Sequence, residues 1–146
     1  MERRSAVFAI RPALAVALLQ GTKQIEFRRV RPALEPGDRV FVYSTSPTQA
    51  IVGDFECGKL FEGKPELLWR KFRHNADTPR ALFKEYFAEC DWGCAIEVVR
   101  PIAWDAPLSL AAIRRQIGKF HPPQSYKFLA PRDPLMKLIV DLSNGR

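Results

Sequence analysis

The sequence predicts an α+β fold: a small, partly closed, mixed or antiparallel β-barrel flanked by short helices. Three observations predict it. Strand-like runs outnumber what a dinucleotide-binding βαβ pattern needs, and no glycine-rich phosphate loop is present. One long strand-like segment carries Gly53 and Gly58, which suit the bulges and bends of a curved sheet. The helical stretches between the strands are short and bounded by proline and glycine.

Taken in order, Ser5 to Ile10 reads as a short buried strand. Pro12 suits the first position of a helix and Gly21 the position just past its end. Between them Leu14 to Leu19 is apolar nearly all round, so this helix is expected to be buried or to cap the barrel. A charged strand follows from about Lys23 to Val30. Pro32, Pro36, Gly37 and Asp38 mark a turn-rich connection. Arg39 to Ser44, rich in Val, Phe and Tyr, reads as a strand. A polar tip from Ser44 to Thr48 leads into the long strand, Gln49 to about Leu60. Pro65 to Arg73 and Pro79 to Glu89 read as short helices, Thr78 capping the second. In that second helix Leu82, Phe83, Tyr86 and Phe87 form an apolar stripe that core packing explains better than base stacking. Trp92 to Val99 is strand-like, and Ser109 to Gln116 is a helix stopped near Gly118. Pro122 and Pro123 then fix an extended loop that delivers Gln124, Ser125, Tyr126 and Lys127 in one direction. Asp133 caps a last helix with Pro134 at its first position and Leu135, Leu138, Ile139 and Leu142 as its buried stripe.

The most informative stretch is Gly21 to Arg31. Lys23, Glu26, Arg28, Arg29 and Arg31 surround only two clear apolar residues before Val30, Ile25 and Phe27. Alternation puts Ile25, Phe27 and Arg29 on one face and Gln24, Glu26, Arg28 and Val30 on the other. Glu26 and Arg28 are thus neighbours, roughly 7 Å apart along the strand. A cation, a carboxylate and a guanidinium on one rigid element suit a phosphate, a base or an amide. A solvated edge strand, its charges paired with one another against aggregation, is the competing reading.

Composition bounds the classes of partner. The 146 residues are expected to form one domain with its own core. A net charge of +7 favours polyanions over cationic partners. Cys57, Cys90 and Cys94 have no disulfide-framework spacing, which points to a reducing compartment. Arg11 and Pro12 split the apolar N-terminal run, so neither a signal peptide nor a membrane span is expected, and the reading is cytoplasmic. No zinc set is complete, and Glu26, Asp54 and Glu56 converge on a metal only if their strands align, so neither metal nor cofactor is expected.

Two kinds of chemistry fit. His74 and His121 lie in no nucleophile motif, which disfavours a Ser-His-Asp triad. A lysine-based hydrolase is open: if Lys23 is desolvated or crowded by arginines, its pKa is lowered and it can act as a base. It needs a nearby hydroxyl, for which Thr22, Ser44, Thr45 and Ser125 are candidates. Binding of nucleic acid is the other: scattered Arg and Lys form a phosphate track if they share a face, with Tyr126 or Phe120 for stacking.

Several segments together resemble a known family. They are Gly21-Thr22-Lys23-Gln24-Ile25-Glu26-Phe27-Arg28-Arg29, Pro36 to Pro47, Ala50 to Phe55, and Pro122-Pro123-Gln124-Ser125-Tyr126. This pattern, from about Val7 to Leu129, resembles the ASCH domain of the PUA-like superfamily, with residues 131–146 as a helical addition. The resemblance implies a barrel with a cleft lined by the charged strand, and a role in binding RNA or nucleotides, as a regulator in some members. It points the cleft role at Lys23, Glu26 and Arg28, with Ser125 and Tyr126 as neighbours, and Arg29, Ser44 and Lys127 complete the expected ligand-binding set. Some similar proteins are enzymes. One branch deacetylates acetylcytidine with a Lys and a Thr three residues later; here Lys23 matches and Glu26 stands at the Thr position. Another branch, of single-strand ribonucleases, uses a Lys with Tyr and Ser, and Lys23 and Ser125 match two of the three. The expectation is an RNA- or nucleotide-binding domain. The alternatives are a small hydrolase in the same cleft, with Lys23, Glu26 and Ser125 as its catalytic residues, or a module for an acidic protein partner.

Overall fold

A computed structural model describes residues 3–144. Among the described residues six strands and five helices follow in the order β1 (Ser5–Ile10), α1 (Pro12–Gln20), β2 (Ile25–Arg28), β3 (Arg39–Ser44), β4 (Ala50–Gly63), α2 (Pro65–Ala76), α3 (Arg80–Tyr86), β5 (Gly93–Ser109), α4 (Leu110–Ile117), β6 (Tyr126–Leu129) and α5 (Pro134–Asn144). The strands form one mixed sheet in the order β2-β5-β4-β3-β1-β6. Only β1 and β3 run parallel; the other neighbours are antiparallel. The sheet is a half-barrel whose two end strands are β2 and β6. Register shifts in the β3–β4 and β4–β5 ladders fall at Val42/Tyr43, Ile51/Gly53, Asp54/Glu56 and Cys57/Leu60, and such irregularities bend a sheet.

Side-chain alternation builds three packed regions. Ala6, Phe8, Ile10, Val40, Val42, Phe55, Cys94 and Ile96 fill the concave side with Ala15 and Leu18 of α1. Val7, Phe41, Tyr43 and Ile51 point the other way, against Ile113 of α4 and Leu135 and Ile139 of α5. Ile25 and Phe27 also point outward, to Leu68 and Phe72 of α2 and Phe83 of α3. Across the β2–β5 ladder Glu26 faces Ile96 and Arg28 faces Cys94. Opposed residues share a face, so Glu26 and Arg28 lie on the concave side.

Several expectations are corrected. The paired part of the charged strand is only Ile25–Arg28. β5 continues through Ser109, well past Val99, because Arg100 takes a positive φ of 49° and kinks the strand at Pro101 without ending it. Tyr126 to Leu129, read as loop, pairs with β1 as β6. Thr78 caps no helix: Pro79 holds the cap position and makes no side-chain cap bond. α1 is buried on one side only, Val16 being exposed, and Leu142 of α5 is exposed as well. Asp133 does cap α5, accepting from Leu135 N–H at 2.9 Å. Among the described residues no helix is long and apolar enough to cross a membrane.

Gly53 marks the tightest strand approach. A Cβ there would lie 2.3 Å from the Ile102 carbonyl oxygen and 2.7 Å from a Leu19 methyl. A backbone oxygen cannot rotate aside. Gly53→Ala is therefore expected to cost about 1–3 kcal/mol, the usual range for overpacking. A lowered midpoint of urea unfolding reads it, and an unchanged midpoint would show that the strands slide apart freely.

Candidate functional site

The site begins where α1 ends. Gly21 takes a left-handed φ of 89°, a conformation glycine adopts without strain. The turn is tied down by Thr22 and Lys23 N–H groups donating to the Ala17 carbonyl at 3.1 and 3.0 Å. The chain then runs beside the end of α2. Gln24 N–H donates to the Asn75 carbonyl at 2.7 Å, and Thr22 Oγ1 donates to Asp77 Oδ2 at 2.7 Å. Lys23, between these ties, is turned inward and is only 1% exposed.

Its ammonium donates to the Ala76 carbonyl at 3.1 Å and to Thr78 Oγ1 at 3.0 Å. Glu26 Oε1 lies 3.7 Å away. Burial pushes the Lys23 pKa below its ordinary value, against the opposing pull of Glu26 and Asp77. A cation at the C-terminal end of a helix also meets the negative end of its dipole.

Arg28 is the centre of the cluster. Its Nε donates to Glu26 Oε2 at 3.0 Å, and Nη2 lies 2.9 Å from the same oxygen. Nη1 donates to the Ser125 carbonyl at 3.3 Å and to Ser125 Oγ at 3.1 Å, while Nη2 donates to the Ala9 carbonyl at 3.1 Å. Its guanidinium carbon sits 4.4 Å above the Phe8 ring centre. A guanidinium has five N–H donors, and four of them are placed in hydrogen bonds to the protein. Because β2 is one end of the sheet and Ala9 and Ser125 belong to the other, Arg28 bridges the mouth of the half-barrel.

That mouth is a cavity of about 660 Å³. Lys23, Glu26, Arg28, Arg29, Ser125 and Tyr126 all line it. Arg29 holds the rim: its Nε donates to the Tyr86 carbonyl at 2.7 Å and its guanidinium stacks 4.4 Å from the Tyr86 ring centre. The Tyr126 hydroxyl accepts from Ala33 N–H at 3.3 Å. Ser44 and Lys127 stand outside the lining. Ser44 is buried in β3, and its neighbour Thr45 reaches the cavity instead. Lys127 faces away, its ammonium 4.6 Å from the Phe120 ring centre.

The cavity also contains residues the sequence did not single out for it: Thr78, Leu82, Phe83, Tyr86 and Gln124. Thr78 carried no signal beyond a helix-start pattern, and Phe83 and Tyr86 read as core. Phe83 is indeed buried among Phe27, Trp69 and Phe87, with one edge toward the cavity. The remaining acidic candidates lie elsewhere. Asp54 accepts from Trp104 Nε1 at 2.7 Å and pairs with Arg39 at 3.2 Å. Glu56 pairs with Arg3 and Arg100.

No protein-family model matches the chain. A curated relative does, an ASCH domain-containing ribonuclease of Zymomonas mobilis, 26% identical over 138 residues, covering 94% of this chain and 92% of the relative. The crystal structure of ASCH from Zymomonas mobilis superposes with a TM-score of 0.86 at 25% identity, covering 95% of this chain and 96% of that one. A tyrosine-to-phenylalanine variant of it superposes equally well, with a TM-score of 0.86. Human THYN1, solved in complex with DNA containing 5-methylcytosine, shares the fold at a TM-score of 0.57 and 14% identity, over 95% of this chain and 96% of that one. On these likenesses across nearly its whole length, the chain is similar to ASCH domain proteins and shares their mixed α+β half-barrel fold.

Proposed function

We propose that the protein binds RNA or a nucleotide in the cavity between β2 and β6. The observation that carries this reading is the set of four cationic side chains, Arg11, Lys23, Arg28 and Arg29, and two carboxylates, Glu26 and Glu85, lining a cavity of nucleotide size, about 660 Å³, within the usual range for ligand pockets. Glu26 accepts from an exocyclic amine of a base through Oε1, the oxygen that Arg28 leaves free. Arg28, held by four hydrogen bonds to the protein, positions Glu26 and Ser125 and does not reach for phosphate. Arg11 and Arg29, exposed at the rim, take the phosphates, and Tyr86 and Tyr126 offer ring surface. The name of the Zymomonas relative and the DNA complex of THYN1 support a nucleic acid as the ligand. The relative's name also supports a second reading, strand cleavage in the same cavity.

Affinity for a short single-stranded RNA is expected to fall linearly with salt on logarithmic axes, with a slope of about −0.7 per phosphate contacted. Arg11→Ala and Arg29→Ala should each flatten that slope by about one contact. A salt-independent affinity would overturn the phosphate contacts. The same RNA, run on a denaturing gel after incubation, separates cleavage from binding alone.

A further inference from the structure

Among the described residues Lys23 is the one buried lysine; every other is half-buried or exposed, and none of them lines the cavity. Its nitrogen meets two acceptors at hydrogen-bond distance, the Ala76 carbonyl at 3.1 Å and Thr78 Oγ1 at 3.0 Å. The Thr78 hydroxyl donates its own proton to that same carbonyl, at 2.9 Å, which leaves Oγ1 to accept from the lysine. Glu26 Oε1 lies 3.7 Å away, beyond ordinary hydrogen-bond length. An ammonium has three N–H donors to place and finds two bonded partners here. A neutral amine has two N–H groups, which those partners satisfy, and a lone pair left over. The surroundings thus suit the uncharged, nucleophilic form, and burial favours the same form by lowering the pKa.

We propose that Lys23 captures aldehydes in this cavity as imines, the ligand class being an aldehyde carried on a phosphorylated group. Imine formation with carbonyl compounds is the covalent chemistry open to a desolvated lysine. Nζ bonds to the carbonyl carbon, and the carbonyl oxygen takes one proton from the nitrogen and one from solvent. The carbon–oxygen bond then breaks, one water leaves, and a positively charged iminium with a single N–H remains. That N–H keeps one of the two acceptors, and the Glu26 carboxylate stands beside the new charge. Water reverses every step, so capture is an equilibrium. The rim supplies the preference for phosphate: Arg11 and Arg29 are exposed there, while Leu82, Phe83 and Tyr86 wall the space between rim and amine. Two sources carry such an aldehyde, the ring-opened sugar of a base-free position in a nucleic-acid strand and a small free phosphorylated aldehyde.

The phosphate in this ligand rests on the binding proposed above, and the imine chemistry does not. The test incubates the full chain near neutral pH with three probes in turn: pyridoxal 5′-phosphate, pyridoxal, and a single-stranded DNA holding one base-free position. Sodium cyanoborohydride reduces any iminium to a stable amine, and peptide mass spectrometry locates it. Lys23 is expected to be labelled ahead of any exposed lysine by about tenfold or more, since each unit of pKa lowering raises the uncharged fraction about tenfold at neutral pH. The phosphorylated probe should label Lys23 faster than pyridoxal does. Adducts confined to exposed lysines would overturn the proposal, and so would pyridoxal labelling Lys23 as fast as its phosphate. Capture of the DNA supports the strand as the source. Capture of pyridoxal phosphate without the DNA supports the imine chemistry with a free aldehyde, while the nucleic-acid reading falls. The mapping uses the parent protein alone, so no variant has to fold.

Discussion

Arg28→Ala is expected to destabilise the protein by about 3–5 kcal/mol, the range for breaking a buried ion pair by removing one partner. The reasoning is an inventory of what is left behind. Glu26 keeps a carboxylate that is 7% exposed, with Lys23 at 3.7 Å as its remaining cation. The half-buried Ala9 and Ser125 carbonyls lose a donor at the seam. The Phe8 ring loses the guanidinium above it. A typical domain has only about 5–15 kcal/mol in total, so this substitution approaches unfolding. Arg28→Lys separates charge from geometry: it keeps the cation but cannot reproduce the forked contacts to both ends of the sheet, and should recover only part of the loss. Urea unfolding reads both. A loss below about 1 kcal/mol for Arg28→Ala, typical of an exposed pair, would show that Arg28 does not bridge the seam.

The same residue shows what was legible in the sequence. Period-2 alternation divides Ile25 and Phe27 from Glu26 and Arg28, and the structure places them on opposite faces, outward and inward. That much is local, because a strand's two faces follow from backbone geometry. The partners of Arg28 are not local: Ser125 is 97 residues away, and only the family resemblance brought it to the cavity. β6 escaped detection because Gln124, Ser125, Tyr126 and Lys127 interrupt any apolar pattern, and the strand is held by four paired positions against β1. The second half of β5 was hidden by Pro101, which in a sequence argues against a strand interior, and which is tolerated here beside the positive φ of Arg100. Thr78 is the plainest case. A threonine before a proline at a helix start is read as a cap, and nothing in the local sequence announces a lysine 55 residues earlier. Local rules recover elements and faces, and the site is made by convergence between them.

Lys23 leads to the second large effect, a stability that rises with pH. Burial lowers its pKa in the folded protein from the ordinary 10.5. Between the lowered value and 10.5 the unfolded chain therefore binds the proton that the folded protein has released. Stability increases with pH wherever the unfolded state holds more protons, so across that window the protein gains stability as pH rises. The gain is about 1.4 kcal/mol per pH unit at its steepest. Below the window both states are protonated, and the full cost of burying the ammonium is felt. The groups facing Lys23 are Glu26 and Arg28 from β2 and Asp77 and Thr78 from the α2–α3 connection. Lys23→Met removes the titrating amine and keeps most of its volume. The difference in unfolding free energy, parent minus Lys23→Met, should climb as the pH is raised from neutral toward about 10. Denaturant titrations at successive pH values give that difference directly, and cancel titrations common to both proteins. A difference that stays level, or falls with pH, would mean that the folded protein holds the Lys23 proton as tightly as the unfolded chain, and would remove the uncharged amine from any chemistry in this cavity.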